Sequence, residues 1–175
     1  MARRRRGGRG AGGVSGLVEA LATLFVVVDP IGLTPVFVSL TAGMPAAERR
    51  SVALRSVLIS LGLLVLFGLM GEAVLAFVGI SMPAFRIAGG LLLFLTALDM
   101  LFERRNDRRE DQAGGARPDP SVFPLATPLI AGPGAIASMI LLTGNGAPGA
   151  LVTAHLAMGL VLGAVLVMFL SAGLL

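Results

Sequence analysis

An apolar run extends over residues 17–40, and Asp29 places a carboxylate at its middle. A helix rises about 1.5 Å per residue, so a run of this length crosses a hydrocarbon core of roughly 30 Å. A carboxylate at that depth costs several kcal/mol unless it is paired, protonated or hydrated, and by default it marks a binding site or a pathway. The run therefore predicts a membrane span with a functional group inside it.

The composition indicates a multi-pass membrane protein. The mean hydropathy is +0.90, and 55% of the residues are hydrophobic against 14% charged, which excludes an ordinary water-soluble domain. The basic residues are all arginines that cluster beside apolar runs, so we expect no nucleic-acid partner. The absence of cysteine excludes disulfides, thiolate metal sites and cysteine nucleophiles.

Five apolar segments predict an all-α integral membrane protein with five transmembrane helices. We expect residues 1–16 to form a disordered Arg- and Gly-rich tail, because they contain almost nothing to bury. Residues 17–102 form the first three-helix repeat, residues 103–120 a charged cytoplasmic loop, and residues 121–175 an incomplete second repeat. The predicted spans are 17–40, 54–78, 84–102, 122–143 and 150–174.

Arginines near the span ends predict the orientation of the chain. The loops after the first and third spans carry eight arginines, and the N-terminal tail on the opposite face carries five. The larger number predicts that both loops lie in the cytoplasm and that the N-terminus lies outside.

Two similar breaks indicate an internal repeat. The first span contains Asp29-Pro-Ile-Gly32 and the fourth contains Gly132-Pro-Gly134, at an offset of 102 or 103 residues, and each is followed by a half-span that ends in Leu-Thr. Three spans separate the breaks, so the two segments enter the membrane from opposite faces. This is the inverted 3+3 repeat of secondary transporters, with helices 1 and 4 broken. The second repeat then needs a sixth span, so we expect a chain truncated before its last helix.

The two breaks predict a substrate site at the bilayer midplane. Asp followed by Pro is a helix-start pattern, with Asp29 as the N-cap and Pro30 as the first helical residue. The Gly132 break repeats the helix start without a carboxylate, and small residues there let a ligand approach its N–H groups. An amino acid zwitterion fits this pair, with its carboxylate at the second helix start and its ammonium near Asp29. The predicted substrate-binding residues are Asp29, Pro30, Gly32, Thr34, Gly132, Pro133 and Gly134. The alternative is that Asp29 is a structural cap and that the prolines are tolerated kinks.

Three further charged residues lie in or near spans. Glu72 and Arg86 flank the reversal between the second and third spans, where we expect an ion pair, with a gate or a carboxylate binder as the alternative for Arg86. Asp99 near the end of the third span is either a solvated side chain or part of a proton relay. His155 in the fifth span is a lone histidine, and such a residue is more often a hydrogen-bonded helix residue than a proton carrier.

Three motifs in order make the chain resemble the MarC family of small bacterial inner-membrane proteins, which are related to neutral amino acid transporters. The resemblance rests on Val27-Val-Asp-Pro-Ile-Gly32 with Pro35-Val-Phe37, on Gly79-Ile-Ser-Met-Pro-Ala-Phe-Arg-Ile-Ala-Gly-Gly90, and on Phe123-Pro-Leu-Ala-Thr-Pro-Leu-Ile-Ala-Gly-Pro-Gly-Ala-Ile136. It implies six spans in two inverted repeats and, for some relatives, transport of glycine or alanine. The chain departs from the family pattern in its Arg-rich tail and in the missing last span.

We therefore expect a secondary transporter of small neutral amino acids in the bacterial inner membrane. We expect it to need no cofactor and no bound metal site, and its coupling ion would be a proton or a sodium ion. Homo-oligomers are compatible with its Gly-rich helix surfaces. The alternatives are a membrane scaffold or assembly protein without transport, and a small-molecule exporter. We do not expect an enzyme, because no catalytic triad, metal-ligand cluster or phosphate-binding loop is recognisable.

Overall fold

The computed structural model describes residues 11–102, 119–144 and 149–172. These residues form seven helical segments and no strand, which confirms the predicted all-α class. In chain order the segments are α1 (Ala11–Val28), α2 (Pro30–Leu40), α3 (Ala46–Phe77), α4 (Met82–Leu101), α5 (Ser121–Ile130), α6 (Pro133–Thr143) and α7 (Ala150–Ser171).

The segments account for the five predicted spans. α3, α4 and α7 are each long and apolar enough for one span, and α1 with α2 provides another over Ser15–Leu40. α5 and α6 are bent by 53° at the break between them, and they supply the fifth when the pair is taken as one span. Breaks therefore occur in the first and the fourth spans, as the sequence predicts.

The first helix begins earlier than predicted. The sequence suggests that the disordered tail reaches residue 16, whereas α1 already begins at Ala11. α1 lies along α7, and a Cβ added to Gly16 would be 4.0 Å from the Thr153 methyl group. Residues 1–10 of the predicted tail, residues 103–118 of the predicted loop and residues 145–148 of the last predicted turn lie outside the described residues.

A tight reversal joins α3 to α4. Gly79 adopts a φ of 76°, which a residue without Cβ reaches at little cost, and the N–H of Ile80 donates to the carbonyl of Leu75 at 2.8 Å. The Ser81 hydroxyl then accepts a hydrogen bond from the N–H of Ala84 at 3.4 Å, and Pro83 occupies the first turn of α4. These local signals fix the hairpin between the second and third spans.

The unbroken helices α3 and α7 pack against each other, and the broken helices pack around them. α7 also contacts α1 and α2, whereas α3 also contacts α5 and α6. α1 further contacts α6, and α2 contacts α5. Exchanging α1 with α5, α2 with α6 and α3 with α7 reproduces each of these contacts, whereas the contact of α6 with α7 has no counterpart of similar extent between α2 and α3. The packing therefore has the pairing expected of two inverted repeats.

α4 lies at the edge of the bundle and packs on α6. Gly89 is its one buried residue among those described, and a Cβ there would be 3.1 Å from the Leu141 side chain of α6. α2 and α6 both have eleven residues and begin at Pro30 and Pro133, so Leu141 corresponds to Val38. Val38 is 46% exposed, so the outer side of α2 is not covered in the way that α4 covers α6.

α5 is an irregular helical segment in which two prolines interrupt the regular backbone. Phe123 and Thr127 are extended, and each precedes a proline through a cis peptide bond. Ala126 between them is buried, and its carbonyl accepts a hydrogen bond from the Ser60 hydroxyl of α3 at 3.3 Å. This bond satisfies part of the backbone that the irregular segment exposes.

Candidate binding site at two broken helices

The first break is a single residue, Asp29. Its φ of 56° and ψ of 70° place it in the left-handed region, which separates α1 from α2. The carboxylate Oδ1 accepts a hydrogen bond from the N–H of Gly32 at 3.0 Å, and Pro30 is the first helical residue. The predicted roles of Asp29 as N-cap and Pro30 as helix start are confirmed. The carboxylate thus lies at the positive end of α2, where the helix dipole stabilises its charge.

The hydroxyl of Thr34 points back into α2. It donates to the carbonyl of Pro30 at 2.9 Å, so its hydrogen is used within the helix that carries the first break. As a substrate-binding group, Thr34 would therefore offer an acceptor oxygen rather than a donor.

The second break is centred on Gly132. It is extended, with a φ of −79° and a ψ of 171°, and a Cβ on it would lie 2.5 Å from the carbonyl oxygen of Pro128. Such a distance is too short for any side chain, so the break requires glycine here. Pro133 then begins α6, and the N–H of Ile136 donates to the carbonyl of Gly132 at 3.0 Å. Within the described part of the chain no side chain caps α6.

The two breaks meet in the structure. Gly134, in the first turn of α6, faces Val27, the residue two positions before Asp29, and an added Cβ would be 3.2 Å from Val27 Cγ1. The same Cβ would be 3.8 Å from Leu93 and from the Thr96 hydroxyl of α4. The end of α1, the start of α6 and the middle of α4 therefore converge at one point.

The correspondence between the two helix starts shows what the second one lacks. Gly32 of α2, whose N–H is held by the Asp29 carboxylate, corresponds to Ala135 of α6. Ala135 is buried, with 2% exposure, and Gly132 takes the place of the carboxylate. α6 therefore presents a buried helix start at the position where α2 binds its own carboxylate.

Thr96 and Leu93 are site residues that the sequence analysis missed. They follow Gly89 at helical spacing, so the face of α4 that packs on α6 also reaches the break. The glycine at position 89 was the available signal, because a small residue marks the close approach of two helices. The predicted relay residue Asp99 lies one turn beyond Thr96 and is half-buried.

The expected ion pair between Glu72 and Arg86 is not formed by these two described residues. Instead, the Arg86 guanidinium donates to the carbonyl of Gly144 at 3.0 Å, and a Cβ on Gly144 would be 2.8 Å from Glu72 Oε1. The carbonyl belongs to the C-terminal end of α6, where a cation is favoured by the helix dipole. The two charges therefore converge on the end of α6 rather than on each other.

His155 is hydrogen-bonded within its own helix, in agreement with the simpler interpretation. Its Nδ1 lies 2.7 Å from the carbonyl oxygen of Leu151, so this nitrogen carries the proton and donates. Nε2 is buried against Gly68 of α3 and Met139 of α6. The ring therefore fills a junction of three helices.

The fold and the two converging breaks define an all-α, multi-pass integral membrane protein with two broken helices around one point. Over residues 14–175 the chain matches the model of the family described as "MarC family integral membrane protein". The chain belongs to the MarC family, in agreement with the resemblance noted in its sequence motifs.

The relatives carry the name UPF0056 membrane protein. The chain is 42% identical over 127 residues to MJ1677 of Methanocaldococcus jannaschii, covering 71% of this chain and 62% of that protein. It is 35% identical over 151 residues to PH0760 of Pyrococcus horikoshii, covering 82% and 75%. It is 33% identical over 127 residues to the inner membrane protein YhgN of Escherichia coli, covering 73% and 64%.

The chain thus spans about three fifths of the length of MJ1677 and of YhgN. No solved structure matches the chain. With its several apolar spans and inner-membrane relatives, the chain is a multi-pass protein of the inner membrane, as predicted.

Proposed function

We propose that the chain is a secondary transporter of small neutral amino acids of the glycine and alanine type. The observation that carries this proposal is the contact between Gly134 and Val27, because it joins the uncapped start of α6 to the break that holds Asp29. One helix start offers N–H groups to a carboxylate, and the other break holds a carboxylate suited to an ammonium group. The zwitterion of an α-amino acid carries both of these groups on one carbon atom.

The packing supports a small substrate. Gly134, Val27 and Thr96 lie within a few ångströms of each other, so a molecule bound between the breaks has little room for a side chain. Broken helices at the interface of two inverted repeats are also the usual place for a substrate and its coupling ion in secondary transporters. The coupling ion in this proposal is a proton or a sodium ion, and the chain acts as a carrier rather than as an enzyme.

The test is counterflow in proteoliposomes that contain the purified chain. Labelled glycine or alanine should accumulate against an internal pool of unlabelled substrate, with and without a pH or sodium gradient to identify the coupling ion. Asp29→Asn should abolish counterflow because it removes the charge and keeps the cap. Glu19→Gln, at an exposed carboxylate of α1, is the matched control and should leave counterflow intact.

Two outcomes would contradict the proposal. If the Asp29→Asn variant exchanges substrate like the unaltered chain, the carboxylate is only a structural cap. If the unaltered, monodisperse chain exchanges none of the small neutral amino acids, the scaffold function becomes the better interpretation.

A further inference from the structure

A cavity lies where α3 ends and α4 begins, away from the two breaks. Its volume is about 380 Å³, within the size range of small-molecule sites, and it is open at the surface of the protein. Its wall is mostly apolar, and one carboxylate, Glu72, lines it. The apolar part of the wall includes Leu75, Ala76, Ile80 and Met82.

Arg86 lies beside this cavity. It follows Met82 by one helical turn on α4, and both side chains reach Gly144 at the end of α6. The guanidinium uses one N–H in its 3.0 Å bond to the Gly144 carbonyl. Arg86 does not itself line the cavity, but arginine has five N–H donors, so most of its donors remain for an anion that binds near the end of α6.

The carboxylate of Glu72 has no hydrogen-bond or ion-pair partner in the described ranges. The Arg86 guanidinium binds Gly144, the residue that Glu72 Oε1 also approaches, yet these two described side chains form no ion pair. Two opposite charges that do not pair, one in the wall of a small apolar cavity and the other one helical turn beyond that wall, complement a ligand that carries both charges itself. A salt bridge would have removed this complementarity.

We propose that this cavity, which we name the mouth site, binds a small zwitterion with its ammonium at Glu72 and its carboxylate at Arg86. The assignment rests on the proposed function, for which the mouth site would be the first binding step. The arginine distribution predicts that the loop between α3 and α4 lies on the outer face, and with that orientation the mouth site would collect substrate from outside the cell.

The test measures equilibrium binding of labelled glycine to the purified full chain in nanodiscs. Glu72→Gln and Arg86→Gln should each raise the dissociation constant of glycine about ten- to a hundredfold, the effect of losing one charge-assisted hydrogen bond. Glu72→Asp and Arg86→Lys keep the charges and should recover part of the affinity. Glu48→Gln, an exposed carboxylate in the first turn of α3, is the matched control and should bind like the unaltered chain.

Ligands that carry only one of the two charges distinguish the ammonium-binding role of Glu72 from the carboxylate-binding role of Arg86. Methylamine, which has no carboxylate, should lose affinity in Glu72→Gln and be unaffected by Arg86→Gln. Acetate, which has no ammonium, should show the reverse dependence. A fragment that depends equally on both residues would overturn the assignment of roles.

Binding and counterflow together separate this inference from the proposed function. If Glu72→Gln and Arg86→Gln bind glycine normally while Asp29→Asn abolishes counterflow, the mouth site is wrong and transport stands. If glycine binding depends on Glu72 and Arg86 but no counterflow occurs, the mouth site stands and transport fails. If the folded, unaltered chain binds no glycine, the mouth site is overturned.

Discussion

Phe37 of α2 stacks on Phe169 of α7, with the ring centroids 4.1 Å apart and the ring planes 7° from parallel. Both side chains are almost completely buried. The stack joins the broken helix of the first half of the chain to the unbroken helix of the second half. The stack is therefore a direct contact between the two halves of the chain.

Phe37→Ala should lower the free energy of unfolding by about 2–3 kcal/mol. This is less than the usual cost in a water-soluble core, because in a bilayer the loss comes mainly from the cavity and the lost ring contacts. Phe94→Ala, at a ring of α4 that is 57% exposed, should change the free energy by less than about 0.5 kcal/mol. Unfolding in mixed micelles measures both, and equal losses would show that the stack contributes nothing specific.

A second prediction concerns the contact between the breaks. Gly134→Ala should destabilise the fold by about 1–3 kcal/mol, because its Cβ would press on Val27 at 3.2 Å. Gly90→Ala should instead stabilise it by up to about 1 kcal/mol, since nothing lies within 4 Å of the added methyl group and alanine favours the helix. The two variants add the same methyl group, and their expected changes in the free energy of unfolding have opposite signs. Thermal unfolding of both in one detergent is the measurement, and a stabilised Gly134→Ala would place the breaks further apart than described.

A third prediction separates the cap of Asp29 from its charge. Asp29→Asn keeps an acceptor oxygen and a residue type that tolerates a positive φ, so its stability should fall by less than about 1 kcal/mol. Asp29→Ala loses the cap and forces alanine into the left-handed region, which together should cost about 2–3 kcal/mol. Denaturant titration of both variants gives the ranking. If both variants lose the same stability, the hydrogen bond to Gly32 does not hold the break.

A fourth prediction concerns pH at the start of α5. The Ser121 hydroxyl and backbone N–H, with smaller help from Arg55, hold the pKa of the Asp119 carboxyl below its ordinary value of 3.8. The N–H bond is 3.0 Å long, and the ion pair to Arg55 is 3.1 Å long and solvent-exposed. A lowered pKa in the fold means that this contribution is present above the ordinary value and is lost as the pH falls through the folded-state value.

Asp119→Asn should therefore lower the free energy of unfolding by less than about 1 kcal/mol at neutral pH, the range of exposed ion pairs. At a pH well below 3.8 the variant and the unaltered chain should be equally stable. Unfolding measured at both pH values checks this. A difference that persists in acid would mean that the charge of Asp119 is not what stabilises the end of the loop.

The breaks were predictable because their causes are local. Asp29 and Pro30 form a helix start by themselves, since the carboxylate bonds an N–H only three residues away. Gly132 and Pro133 mark the second break in the same way. The hairpin at Gly79 has local signals as well, whereas the packing of α1 along α7 joins segments that lie far apart in sequence.

The predicted ion pair between Glu72 and Arg86 is not formed, because its formation also depends on a segment that lies far away in sequence. A hairpin of two spans suggests that charges on either side of the turn will meet, and no third element enters that argument. In the structure both side chains approach Gly144 at the end of α6, and its carbonyl accepts a hydrogen bond from the Arg86 guanidinium. The helix that decides this contact lies almost sixty residues further along the chain, so the pattern near the turn contains no sign of it. Thr96 was missed in the same way, because its neighbour Gly134 belongs to the second half.

The packing of α1 and α2 on α6 and α7 has a consequence for biosynthesis. The first span ends at Leu40 and α6 begins at Pro133, so the first span is made more than ninety residues before the helices that pack against it. Until then, the bond from Gly32 to Asp29 is a contact that the first span can make by itself. Until α6 and α7 are made, the break at Asp29 therefore depends on hydrogen bonds within the first span. When those helices are made, they pack against the break.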